Sequence, residues 1–450
     1  MKVISIVYSS LLVVLSFLHY PYAIFTPFGT GSGGMVFFFE FPHVFLASTL
    51  SLCYILLNLD RLNLKDRSVQ FGIAAVFIAL ISGFTHNSSF FNIFELLAII
   101  VIPFACRLVL SEEKARDILL WGMSVLFILN LVYCLIINDK IGIAANQNWL
   151  AATLASTMLF FVILVREKLD GGAQKAVLAV VGILLIKTFW ATEARALIPG
   201  ACLAGIIFCY HKFNWKLAVG VAGAGVVAIA VFCLLKKDLV ERTVNRDIRG
   251  PLTTNTISMV VDSPLLGHGP GNFQKEFPAF ATDELKKKEY YTSIVEHPHN
   301  EFLHISASAG IAFGLCWLAI LLILFARKEE GDRSYLIYAV AILFVLGLAD
   351  KPLVESPSAV AFGILCGFCI PLTAIREKAE VPHALKFAGV TGAVILVILA
   401  VMTLQTKVPA ERYFYQAEVY RENFKASGDG QGQVNGNQRQ GRQAKGSAYA

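Results

Sequence analysis

Residues 264–304 read PLLGHGPGNFQKEFPAFATDELKKKEYYTSIVEHPHNEFLH. This is the one long polar interval in an otherwise apolar chain. It holds four of the nine histidines: His268, His297, His299 and His304. Working outward from it, the chain of 450 residues is 56% hydrophobic and 16% charged, with a mean hydropathy of +0.64. A soluble domain carries about a quarter charged residues. Apolar runs of roughly 18 to 22 residues recur on both sides of the polar interval, the length a helix needs to cross about 30 Å of hydrocarbon. The composition therefore predicts an all-α polytopic membrane protein.

About 12 to 13 transmembrane helices are expected, at 3–20, 40–58, 69–84, 92–110, 116–137, 147–165, 174–190, 196–211, 215–235, 302–326, 335–348, 357–375 and 385–404. Domains follow: a bundle over 1–235, one large loop over 236–301, further spans over 302–404 and a polar tail over 405–450. The N-terminal run MKVISIVYSSLLVVLSF imitates a secretory leader, but no small-residue cleavage site follows it, so it reads as a retained first span. Within the tail, 409–424 has the pattern of a short amphipathic helix. From Ala426 onward, Gly, Gln, Asn and Ser dominate, a composition that cannot bury a core. Alternate loops are basic (Arg61, Lys65 and Arg67; Lys114 and Arg116; Arg166, Lys168 and Lys175; Lys212 and Lys216; Arg327, Lys328 and Arg333; Arg376, Lys378 and Lys386). The loops between them hold only Lys140, Arg195 and Lys351. The positive-inside rule then puts the N-terminus in the cytoplasm and the loop at 236–301 outside, which in a bacterial inner membrane is the periplasm. The net charge of +6 is accounted for by those loops and points to no nucleic-acid partner.

Three places concentrate the ionisable groups on the outer side. Arg195, in Thr192-Glu193-Ala194-Arg195, breaks the positive-inside pattern; it fits either a site for an anionic ligand or an interfacial pair with Glu193. Arg242, Arg246 and Arg249 share one face if their segment is helical. Their planar donors suit phosphate oxygens, whether of a lipid diphosphate or of ordinary headgroups. The histidine-rich interval is the third. GHGPGN is a turn signal and lacks the GK[ST] ending of a phosphate-binding loop. In HPHN, Pro298 favours a helix start, after which Asn300 and His304 would share a face. Three histidines within eight residues suit either a general base, since imidazole accepts a proton near neutral pH, or a zinc site. Neither HExxH nor DxD occurs in the chain.

Four blocks in order resemble the O-antigen ligase and polymerase superfamily of bacterial envelope proteins. They are Asn146-Gln-Asn148-Trp-Leu-Ala-Ala; Glu193-Ala-Arg195-Ala; Arg249 with the following SMVVDSPLLGHGPGNF; and His297-Pro-His299-Asn300-Glu-Phe-Leu with Ala-Gly310. The chain departs from the family at Ala194, at Thr253 and in the spacing of Gly310 and Gly314. The resemblance implies His299 as general base and Arg195 and Arg249 as ligands of a diphosphate. It leaves His297, Asn300, Arg246 and Arg242 in support. It implies no metal and no cofactor. The implied activity is inverting, metal-independent transfer of a glycan from an undecaprenyl-diphosphate carrier to an acceptor hydroxyl on the periplasmic face of the inner membrane. The partners are that lipid-linked donor, membrane lipids and a glycan, lipid A–core or protein acceptor. Ligation to lipid A–core comes first; polysaccharide polymerisation and protein O-glycosylation are the alternatives. A lipid-linked glycan transporter or a non-catalytic assembly scaffold is the rival from another class, although no inverted repeat is visible.

Overall fold

A computed structural model describes residues 2–18, 42–137, 147–192, 194, 196–235, 248–287, 295, 297–327, 333–350, 353, 358–376 and 383–426. Its helices are α1 (Lys2–Leu18), α2 (His43–Leu56), α3 (Arg67–Thr85), α4 (Phe90–Val109), α5 (Glu113–Ile137), α6 (Gln147–Lys168), α7 (Gly171–Thr192), α8 (Leu197–Lys212) and α9 (Trp215–Leu235). They continue with α10 (Arg249–Asp262), α11 (Phe273–Glu276), α12 (Asp283–Lys286), α13 (Glu301–Ala309), α14 (Ile311–Ala326), α15 (Arg333–Ala349), α16 (Ser358–Cys369) and α17 (His383–Ala426). No strand ladder occurs among the described residues, which leaves an all-α polytopic architecture. Six helices are long and apolar enough to span a membrane, and seven shorter apolar helices accompany them. Together they match the thirteen expected runs.

The bundle is organised around α4, whose apolar window is 89% buried, against 6% for α7 and 11% for α17 at the periphery. α4 packs on α2, α3 and α16. Lipid tails are as apolar as leucine, so close packing rather than water exclusion holds such helices together. Gly363 and Gly367 on α16, one turn apart, supply it. A Cβ at Gly363 would lie 2.6 Å from Ile102, and one at Gly367 would lie 2.5 Å from the Cys106 side chain. α1 is part of the bundle. Leu12 is fully buried, and Tyr8 and Ser5 bond to Ser51 and Tyr54 at 2.7 and 2.8 Å.

α3 and α14 lie side by side and define the two ends of the molecule. At one end, the Asp66 carboxylate before α3 meets Arg327 after α14. The same end holds Arg61 and Arg376, bonded to the Leu108 and Asp60 carbonyls. At the other end, Ser82 donates to the carbonyls of Leu266 and Ser308. The histidine-rich interval therefore sits opposite the arginine-rich loops.

Two expectations need correction. The run 302–326 is not one helix: it breaks at Gly310 into α13 and α14. There the 264–269 backbone docks on the end of α13. His268 N and Gly269 N donate to the Ala307 and Ser308 carbonyls at 2.8 and 2.9 Å, and Ile311 N donates to Pro264 O at 2.8 Å. The last carbonyls of α13, which its own helix cannot satisfy, are paired by a segment about 40 residues earlier. The approach is close enough that a Cβ at Gly310 would lie 2.1 Å from Leu265 O, and Gly310 has φ 88°. The second correction concerns the tail. α17 runs unbroken from His383 to Ala426, so the span at 385–404 and the amphipathic stretch at 409–424 form one helix. A proline such as Pro409 removes one backbone donor but not the rest of the ladder. At roughly 66 Å this helix is about twice the hydrocarbon thickness. The low-complexity stretch beyond it lies outside the described residues.

The loop before α13 has its own small core. Leu252 and Met259 of α10 pack with Phe273, Phe277, Leu285 and Val295. This core holds the loop as a folded cap against α13.

Candidate functional site

The site is built where the cap returns to the bundle. Asn300 is the N-cap of α13: its side chain accepts from Leu303 N at 3.0 Å and donates to the Leu348 carbonyl at the end of α15 at 3.2 Å. Helix α13 thus starts at Glu301, three residues after Pro298. Glu301 is fully buried and accepts from Leu353 N at 2.9 Å. These bonds tie the start of α13 to the turn after α15. His299, just before the cap, has φ 51°. That is the left-handed region, which histidine enters more readily than bulkier residues but at some cost.

This tie sets His299 against Asp350. His299 Nδ1 lies 3.2 Å from Asp350 Oδ1, and His297 Nε2 lies 3.6 Å from the same oxygen. The two imidazole centroids are 4.5 Å apart at 64°. The other carboxylate oxygen, Oδ2, accepts from Asn148 Nδ2 at 2.7 Å, at the start of α6. The Asp350 side chain is only 4% exposed, against 16% for His297 and 35% for His299. A buried carboxylate is costly unless it is hydrogen-bonded. Asp350 also follows the last turn of α15, where the helix dipole is negative and disfavours an anion. Asn148 and the two histidines are among its partners. An ionised carboxylate only accepts, so a bond from His299 to an ionised Asp350 needs the ring proton on Nδ1, and in a neutral ring that arrangement leaves the lone pair on Nε2.

The other expected residues fall as follows. Arg249 opens α10 and is exposed. Arg195, Arg242 and Arg246 lie outside the described residues. His304 is buried, its ring 5.7 Å from that of Phe273. His268 donates Nε2–H to the Met259 carbonyl at 2.9 Å within its turn. Sequence reasoning missed Asp350 altogether and quoted Asn148 without a partner. The available signal was an acid in a short loop on the same side as the histidines, in a chain with few charges there. His297, His299 and Asp350 also form the one group among the described residues with three metal-type ligand atoms, all within 4.8 Å of one another.

A many-helix apolar bundle with a folded polar cap and a histidine–carboxylate pair beneath it defines a multi-pass membrane protein with a site at one end. Residues 125–318 match the family model described as O-antigen ligase, so this segment of the chain is similar to that family. The match spans Asn148, Arg195, Arg249, His297 and His299; Asp350 lies beyond it. The superfamily carries ligase-type glycosyl transfer as its general activity. No curated protein matches the chain.

Proposed function

We propose that the protein is an O-antigen ligase, transferring a glycan from an undecaprenyl-diphosphate carrier to lipid A–core at the periplasmic face of the inner membrane. The observation that carries this reading is the His299–Asp350 contact of 3.2 Å, with Asp350 held in turn by Asn148, inside a chain similar to this family. Asp350 keeps the imidazole proton on Nδ1 and leaves Nε2 to accept the proton of the acceptor hydroxyl. The hydroxyl oxygen attacks the anomeric carbon as the bond to the diphosphate breaks. The proton goes to His299 and the bonding electrons leave with the lipid diphosphate. Arg195 and Arg249, with Arg242 and Arg246 in support, offset the charge growing on that leaving group. Because they do so in place of a metal ion, the transfer needs none. Direct displacement inverts the sugar. A positioned base contributes about 10²- to 10⁴-fold to such a step.

The test is transfer from a purified lipid-linked donor by the unmutated chain and by His299→Ala, each with and without a chelator. Loss of about 10² or more in the variant is expected, with no effect of chelator. Full transfer by His299→Ala would end the base assignment. Offering lipid A–core, a second lipid-linked repeat or an acceptor protein in the same assay decides between ligase, polymerase and protein glycosylation. Transport of the carrier without bond cleavage would favour the transporter reading instead.

A further inference from the structure

We propose that His297, His299 and Asp350 also form a binding site for a divalent transition-metal ion of the zinc type, and that filling it switches the transfer off. The donor set is two imidazoles and a carboxylate, a combination zinc takes readily. The spacing fits as well. Ligands about 2.0–2.2 Å from a tetrahedral ion lie about 3.3 Å from each other. His299 Nδ1 and His297 Nε2 stand 3.2 and 3.6 Å from the shared oxygen, Asp350 Oδ1. All three ligand atoms lie within 4.8 Å of one another. Asn148 bonds Oδ2 and so orients the carboxylate, while Oδ1 faces both histidines. An outer hydrogen bond of this kind is what fixes a metal-ligating carboxylate.

The inhibition follows from the imidazole itself. A neutral ring has one N–H and one lone pair. As a base, His299 keeps its proton on Nδ1 against Asp350 and its lone pair on Nε2. An ion at the centre of the three ligands takes the Nδ1 lone pair. The ring's single proton then sits on Nε2, and no lone pair is left for the acceptor hydroxyl. The ring keeps its proton count and loses its basic atom. Binding of the ion stands on geometry alone; the inhibition rests on His299 being the base.

The experiment titrates the purified full chain, stripped of metal, with Zn²⁺ by calorimetry and with Co²⁺ by visible absorption. One equivalent should bind, with tetrahedral cobalt bands. Affinity should fall more than tenfold in His297→Gln and Asp350→Asn, and about 10- to 100-fold in Asn148→Ala, which removes only the outer bond. In the transfer assay, inhibition by Zn²⁺ should track occupancy and a chelator should restore full activity. Absence of a saturable site, or binding unchanged in His297→Gln and Asp350→Asn, overturns the site. Saturable binding that leaves transfer untouched overturns the switch. Loss of transfer on chelation overturns it too, by making the ion a cofactor. The His299→Ala transfer result is read separately and judges the base assignment alone. A thermal melt of each variant confirms that it is folded.

Discussion

Asp66 and Asp350 are both buried aspartates that join distant elements, and they sit at opposite ends of the bundle. Asp66 is where a helix wants an anion. It caps α3, its Oδ1 accepting from Ser68 N and Oγ at 2.9 and 2.5 Å. Its Oδ2 accepts from Thr373 at 2.6 Å with Arg327 at 3.9 Å. Helix dipole, cap and counter-charge all act in its favour. Asp350 is where a helix does not want an anion, past the C-terminal end of α15, with Asn148 and two histidines against it. The first arrangement serves the fold. The second sits at a helix end whose dipole disfavours it, and sites that break a local rule are the ones to examine for function.

The sharpest way to break this comparison is to neutralise each aspartate. Asp350→Asn should lower transfer by about 10² or more, because His299 loses the acceptor that fixes its tautomer. Its cost in stability should stay near 1 kcal/mol, since removing a charge at the negative end of a helix offsets the lost hydrogen bonds. Initial transfer rates beside thermal melts in detergent measure both. Equal losses of activity for Asp350→Asn and Asp66→Asn would collapse the distinction. Next in size is the docking of the cap. Gly310→Ala forces a Cβ against Leu265 O at a backbone angle that glycine alone adopts easily, and should cost about 3 kcal/mol. Gly182→Ala in α7, with nothing within 4 Å of the added carbon, should be neutral or slightly stabilising. Melting temperatures of the two variants decide whether the α13–α14 break is enforced by the cap.

What could be read in advance divides along the same line. The spans were legible because each is a local apolar run, and most runs survive as helices near their expected bounds, the broken 302–326 and the extended 385–404 apart. His299 was legible because HPHN is local and sits in the one polar interval. The break at Gly310 was not, because its cause is the backbone of Pro264–Gly269 approaching from another part of the chain. Asp350 was not legible either. Its meaning depends on an Asn148 side chain some 200 residues earlier and an imidazole 51 residues earlier, and neither pairing leaves a period or spacing in the sequence. The tail was the opposite case: the span at 385–404 and the amphipathic stretch at 409–424 read as separate elements, and one helix carries both.

The smallest effect belongs to the aspartate that serves the fold, and its pH dependence separates it from a generic loss. Burial pushes the Asp66 carboxyl upward, but the hydrogen bonds from Ser68 and Thr373 and the charge of Arg327 outweigh it, so the group is held below the ordinary carboxylate value. A carboxyl depressed in the folded state adds stability above its unfolded pKa of about 3.9, and that stability drains away as pH falls through the lower folded value. Asp66→Ala removes an N-cap and should cost about 1 kcal/mol at neutral pH, with transfer otherwise unchanged. Melts of both proteins from pH 7 downward should show a constant gap to about pH 4, then a narrowing gap as the native carboxyl is protonated. A gap that widens with acid would mean that the Arg327–Thr373 clasp does not favour the charged form, and the contrast with Asp350 would lose its electrostatic basis.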